Sequence, residues 1–182
     1  MTDRRIRKTE QALQNAFAEL IREKELPMIT IRELCEKADI NKSTFYLHYR
    51  DIYDLASSMK RQFLNDCYRI ITKYDVLEFA ANSTEIWTDI LKLFHEKNNA
   101  HIAFINSPSI LALAPTLEEG ILSPLMEKAK NDHPELSQDS LQKLRIAITF
   151  ITSGSIGLLQ SIDFEDLPEA IRFISTQLQN GF

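Results

Sequence analysis

"TIRELCEKADINKSTFYLHYRDIYDL", residues 30–55, is the stretch on which the fold turns. Thr30 is followed three residues on by Glu33, the spacing of a capping box, in which the threonine hydroxyl accepts from the glutamate backbone N–H and the glutamate reaches back. Ile29 before the cap and Leu34 beyond it occupy the positions of a hydrophobic staple. Ile31, Leu34, Cys35 and Ala38 fall at i, i+3, i+4 and i+7 and give a short helix one apolar face. Asp39 ends it, as a residue that tolerates the left-handed backbone of a tight turn. Asn41 has the chemistry of an N-cap for a second short helix running through Tyr49. Two short helices joined by a tight turn make a helix-turn-helix outline over about residues 30–49.

The second helix carries Lys42, Ser43, Thr44, Tyr46 and His48, side chains equally at home in an active site and on a nucleic-acid surface. Catalysis needs more than these. No acid stands at helical spacing to orient His48, and no glycine is near to build an oxyanion hole. "ITSGSIG" (151–157) misses the G-x-S-x-G elbow, because the glycine two residues before the serine is absent. There is no phosphate-binding P-loop and no G-x-G-x-x-G, so no cofactor is expected. His95 and His101 fall on different helical faces and His133 in a loop, so no metal site is expected. A major-groove helix, by contrast, needs short donors and acceptors at its N-terminal end. Asn41, Lys42, Ser43 and Thr44 supply them. Tyr46, His48 and Tyr49 add donors for phosphate oxygens, and Thr30 and Arg32 lie on the preceding helix beside the backbone. Phe45 faces inward, toward Ile31, Leu34, Ala38 and Ile40.

Working outward, Leu13, Ala16, Phe17, Leu20 and Ile21 form a helical stripe in a leading helix that Pro27 closes. A long helix follows from Ile52 through Cys67 to Tyr74. Asn82 with Glu85 opens another through Phe94. "NSPSILALAP" (106–115) reads as a break, and a further helix spans about 118–130 with Pro124 inside it. From Leu141 onward, Leu144, Ile148, Ile151, Ser155, Leu158 and Ile162 alternate at spacings of three and four, an a/d seam. Ala147, Gly154 and Ser161 add a small-residue stripe. Asp166 with Glu169 caps a last helix carrying Leu167, Ala170, Ile171, Ile174 and Leu178. The two final helices have apolar stripes on more than one face, which points to pairing with a second copy of the chain through Leu144, Ala147, Ile151, Gly154, Leu158, Ile171, Ile174 and Leu178. The fold expected is all-α with about nine helices, a three-helix N-terminal unit followed by a helical bundle.

Composition agrees. The 182 residues include only four glycines and six prolines, which favours helices. Cys35 and Cys67 stand far apart with no CxxC, as expected of apolar fillers in a reducing compartment. No apolar run reaches membrane-spanning length and no apolar signal core follows the charged start, so a cytoplasmic location and no membrane partner are expected. The net charge of −5 disfavours a polyanion, but the first 55 residues balance ten basic against ten acidic side chains, with Arg4, Arg5, Arg7 and Lys8 clustered. The acidic excess lies beyond them.

Residues 30–55 resemble the DNA-binding segment of the TetR/AcrR family of bacterial transcriptional regulators. Thr30, Leu34, Ala38, Ile40, Thr44, Tyr46, His48, Tyr49 and Leu55 match at the family's spacing, as do Ala16 and Leu20 in the leading helix. The resemblance implies a homodimeric DNA-binding regulator and no enzyme. Residues 1–50 would form the DNA-binding domain and 51–182 a regulatory and dimerisation domain. A recognition helix at about 42–48 would enter the major groove of a palindromic operator, most simply as a repressor. Control would come from a small apolar or amphipathic effector, with Trp87, Phe94, Phe104, Met126 and Phe150 as the pocket candidates, or from a protein co-regulator. "ITSGSIGLLQSIDFEDLPEAI" (151–171) broadly resembles a subgroup that includes regulators of dihydroxyacetone metabolism, some of which act through a partner protein. The alternative is therefore a protein of the same fold that works mainly through a protein partner, with no small ligand. Two departures stand out. Asp39 occupies the turn where the family usually has glycine. Ile52 stands where a lysine often contacts phosphate, which shifts that contact to Arg50 and to the basic N-terminus.

Overall fold

A computed structural model describes residues 2–79, 81–96, 114–161 and 166–180. Eight α-helices and two 3-10 turns make up the regular structure of these residues, with no strand among them. They are α1 (Thr2–Glu23), α2 (Ile31–Ala38), α3 (Lys42–His48), α4 (Ile52–Ile71), α5 (Ser83–Glu96), α6 (Ala114–Asp132), α7 (Gln138–Ser161) and α8 (Leu167–Asn180). Of the break expected over 106–115, residues 106–113 lie outside the described residues, as do residues 162–165, while Ala114 and Pro115 belong to α6. The helix expected at 118–130 starts a turn earlier, at Ala114, and runs through Pro124.

The described residues group into two compact units, one extending to Phe63 and the other taking in Leu64–Leu93 and the residues from Ala114 onward. In the first, α1 packs against α2, and α2 against α3. Leu13 and Phe17 from α1, Leu34 from α2, Phe45 from α3 and Leu55 from α4 are all fully buried. These are the apolar positions of four helical stripes meeting in one core. Truncating Phe45 to alanine there would cost about 3–5 kcal/mol.

In the second unit α6 packs along α7 and its far end meets the 3-10 turn Val76–Glu78. Cys67, Ile71, Val76, Ile86, Ile90, Leu125, Met126, Ala129, Ile148 and Ile171 form its core. Gly120 lets α6 approach α4 closely, since a Cβ there would stand 2.8 Å from Leu64 Cδ1. His133 donates from Nε2 to Asp75 Oδ1 at 2.9 Å and so ties the residue after α6 to the cap of the Val76 turn. Both cysteines are free and buried, and burial pushes the Cys67 thiol up to about 12.

Candidate nucleic-acid interface

The helix-turn-helix is built from its caps inward. Thr30 accepts from the Glu33 backbone N–H at 3.2 Å, one arm of the capping box. The Glu33 carboxylate meets Lys24 and also takes the Thr30 backbone N–H, and these bonds, Lys24 first, hold it below the usual carboxylate range. At the other end of α2, Asp39 adopts φ 53°, ψ 47°, the only positive φ of a non-glycine among the described residues. The Asp39 N–H reaches the Glu36 carbonyl at 3.3 Å and the Ile40 N–H the Cys35 carbonyl at 3.0 Å. These paired bonds are a Schellman closure, the work usually left to glycine.

Asn41 occupies the N-cap of α3, but its side chain makes no capping bond. Its own carbonyl already takes the Thr44 N–H, at 2.9 Å, which is a donor a cap would serve. The Asn41 amide therefore stays exposed at the start of the helix. A related arrangement at the start of α4 escaped the sequence reading. Asp51 accepts from the Asp54 N–H at 2.8 Å, and the Asp54 carboxylate accepts from the Arg50 N–H at 3.0 Å. The spacing D-x-x-D was visible, but its second member is not the glutamate or glutamine of the usual signature.

α3 has two distinct sides. Phe45 and Tyr49 are buried, and Tyr49 is only 6% exposed. The Tyr49 ring packs 5.9 Å from Phe45, centroid to centroid. Its hydroxyl bonds toward the Gln14 and Ser58 side chains, and burial raises its pKa. This corrects the expectation that Tyr49 offers a donor to DNA: it anchors the end of α3 in the core. His48 is also turned inward. It donates from Nδ1 to Glu10 of α1 at 3.3 Å, an acid that helical spacing within the motif could not reveal. The pair ties α3 to α1.

On the opposite side Lys42, Ser43 and Tyr46 are exposed, and Thr44 is half-buried at the edge. Leu47, which the sequence reading passed over, is exposed there too. A cleft of about 450 Å³ lies over the turn, lined by Arg32, Cys35, Glu36, Asp39, Ile40, Asn41 and Lys42. Its two cations are matched by two acids. Arg32 is exposed but bonded to Glu36 at 2.8 Å, and Arg50 is drawn toward Asp54 at 3.7 Å. Ile52 is buried at the start of α4, so its position offers the core a side chain and DNA nothing.

The other expected residues fall elsewhere. Met126 is buried in the second unit, Trp87 is half-buried, and Phe150 is two-thirds exposed on α7. Phe104 and the side chain of Phe94 lie outside the described residues. Ala147 and Gly154 are exposed, and Leu144, Ile151, Leu158 and Ile174 are half-buried. Ile171 is buried in the chain's own core, and the Leu178 side chain is outside the description. Among the described residues, no three His, Cys, Asp or Glu cluster to hold a metal, and no helix is long and apolar enough to cross a membrane.

No family model matches the chain. A curated relative from Bacillus subtilis (strain 168), the uncharacterised HTH-type transcriptional regulator YxbF, is 36% identical over 84 residues, 46% of this chain. The matched stretch spans 20% of that protein's length. Among solved structures, the dihydroxyacetone kinase operon activator DhaS superposes with a TM-score of 0.60 at 17% identity, over 94% of this chain and 97% of that one. A TetR transcriptional regulator from Streptococcus agalactiae 2603V gives 0.53 at 23% identity, over 96% and 97%. The chain has the fold of the TetR-type regulators. The TetR family repressor AlkX from Dietzia sp. strain DQ12-45-1b shares it, with a TM-score of 0.50 at 15% identity over 93% and 97%. These similar proteins are transcriptional regulators and not enzymes. Within the TetR fold, α2 and α3 are the helix-turn-helix.

Proposed function

We propose that the chain is a DNA-binding transcriptional regulator that acts as a homodimer on a palindromic operator, with α3 as its recognition helix. The observation that carries this is the outward face of α3. Lys42, Ser43 and Tyr46 are exposed on a helix whose other side is held by buried Phe45 and Tyr49. The backbone of that helix is fixed, while its short polar side chains remain available for base edges and phosphates. Residues 1–50 serve DNA and residues 51–182 serve pairing and control.

Pairing runs through α7 and α8. Ile146 and Phe150 on α7 and Phe173 on α8 are 59%, 66% and 65% exposed, large apolar side chains that a second copy would cover. Gly154 has nothing within 4 Å of an added Cβ, leaving room for a close helix approach. Phe150 thus fits the dimer face better than an effector pocket. Met126 and Trp87 remain the candidates for sensing a small apolar or amphipathic effector. A repressor released by that effector would work by population shift, the ligand favouring a form whose two recognition helices are wrongly spaced. The second reading is a protein of the same fold controlled through a protein co-regulator, with no small ligand.

The test is binding to duplexes selected from a random pool, measured against salt. Wild type is expected to select a palindrome and to bind it with a steep salt dependence. Lys42→Ala is expected to lower the slope of log K against log salt by about one. Salt-independent binding, or an unchanged slope in Lys42→Ala, would contradict the assignment.

A further inference from the structure

The outward face of α3 holds one residue whose chemistry differs from the rest. Leu47 is 84% exposed, the most exposed large apolar side chain among the described residues. A single exposed leucine is ordinary on a protein surface. The position of this one gives it meaning. At 100° per residue, Lys42, Tyr46, Ser43 and Leu47 follow one another around about 140° of the helix, and Leu47 stands about 160° from the buried Phe45. Leu47 stands one turn beyond Ser43, on the same ridge. The core cannot use it, because Phe45 and Tyr49 already fill the buried side. Solvating α3 does not require it either, since its neighbours Lys42, Ser43 and Tyr46 are polar.

We propose that Leu47 reads a thymine in each operator half-site through apolar contact with the C5-methyl group. This rests on α3 being the recognition helix. The methyl is the one apolar group on a base-pair edge in the major groove, and aliphatic side chains recognise it by contact. Tyr46, 58% exposed beside it, and Ser43 supply the polar contacts that hold the helix in register. Leu47 thereby gives the operator a requirement that hydrogen bonding alone would not impose.

The experiment takes a duplex selected by the wild-type protein and replaces each thymine in turn with deoxyuridine. Deoxyuridine keeps every hydrogen bond and lacks only the methyl. At one thymine per half-site, wild type is expected to lose about four-fold in affinity, the worth of one buried methyl-sized group. Leu47→Ala is expected to bind the thymine duplex about four-fold more weakly and to show no further loss at that position. Its thermal unfolding should match wild type, because the side chain touches little within the chain. If Leu47→Ala and wild type show the same profile across all thymines, the inference fails while the recognition helix stands. If wild type selects no duplex at all, the regulator reading fails and takes this inference with it.

Discussion

Asp39 holds a left-handed backbone at φ 53°, at the end of a helix where glycine is the usual choice. The left-handed conformation costs an L-residue about 1–2 kcal/mol, and glycine's extra freedom in the unfolded chain costs about 0.5–1 kcal/mol. The difference favours glycine, so Asp39→Gly is expected to stabilise the protein by roughly 0.5–1 kcal/mol, read as a raised denaturation midpoint. The strain was legible in the sequence as a departure from the expected glycine. The pairing of Arg32 with Glu36 is legible in the sequence as an i, i+4 spacing, and it bears on the proposed contact of Arg32 with the DNA backbone. In the proposed complex Glu36 would compete with phosphate for the guanidinium, and it adds a negative charge beside the turn. Glu36→Gln is therefore expected to tighten DNA binding several-fold at low salt, with the gain fading as salt rises. Unchanged affinity in Glu36→Gln would mean that Arg32 does not face the backbone.

At the scale of the elements, stripes and caps located most helices, because periodicity reports burial directly. Long-range partners were not legible. Nothing in the spacing of His48 announced Glu10, thirty-eight residues away. Tyr49 read as a polar donor because its residue type suits DNA, whereas the fold spends its ring on the core. His133, read as an isolated loop histidine, pairs with Asp75 across fifty-eight residues. That pair has a pH signature. The hydrogen bond to Asp75, with Glu135 also near at 3.4 Å, raises the His133 pKa above the ordinary histidine value. Asp75 is lowered, first by the Leu77 N–H and then by His133. A raised histidine adds stability that is complete below its unfolded value and lost as pH rises through its folded value. Asp75 adds stability that is lost as pH falls toward the carboxylate range. The contact thus contributes most in mildly acid solution. Wild type is expected to lose stability relative to His133→Gln as pH rises from about 6 to 8. Parallel stability curves for the two proteins over that range would contradict the link.

At the scale of the whole molecule, the all-α class was legible from few glycines, few prolines and unbroken helical stripes. The two-sidedness of the last two helices was legible as well, but not which side the core would take. Ile148 and Ile171, both in the expected stripes, turned inward. Ile146, Phe150 and Phe173 were left outside, and aromatic character had suggested a pocket for Phe150. If two chains pair over this face, Phe150→Glu is expected to give a monomer in sedimentation velocity at micromolar concentration, with unchanged helical content. A monomeric unit binds half a palindrome, so its operator affinity should fall by orders of magnitude together with the dimer. The central claim concerns α3 itself, and hydroxyl-radical footprinting on a selected duplex tests it most directly. Wild type is expected to protect two tracts whose centres lie about 34–36 Å apart, one helical turn, or a multiple of that spacing. The variant carrying Lys42→Ala, Ser43→Ala and Tyr46→Ala, folded and dimeric, is expected to leave both unprotected at concentrations where wild type saturates. Full protection by that variant would contradict the claim.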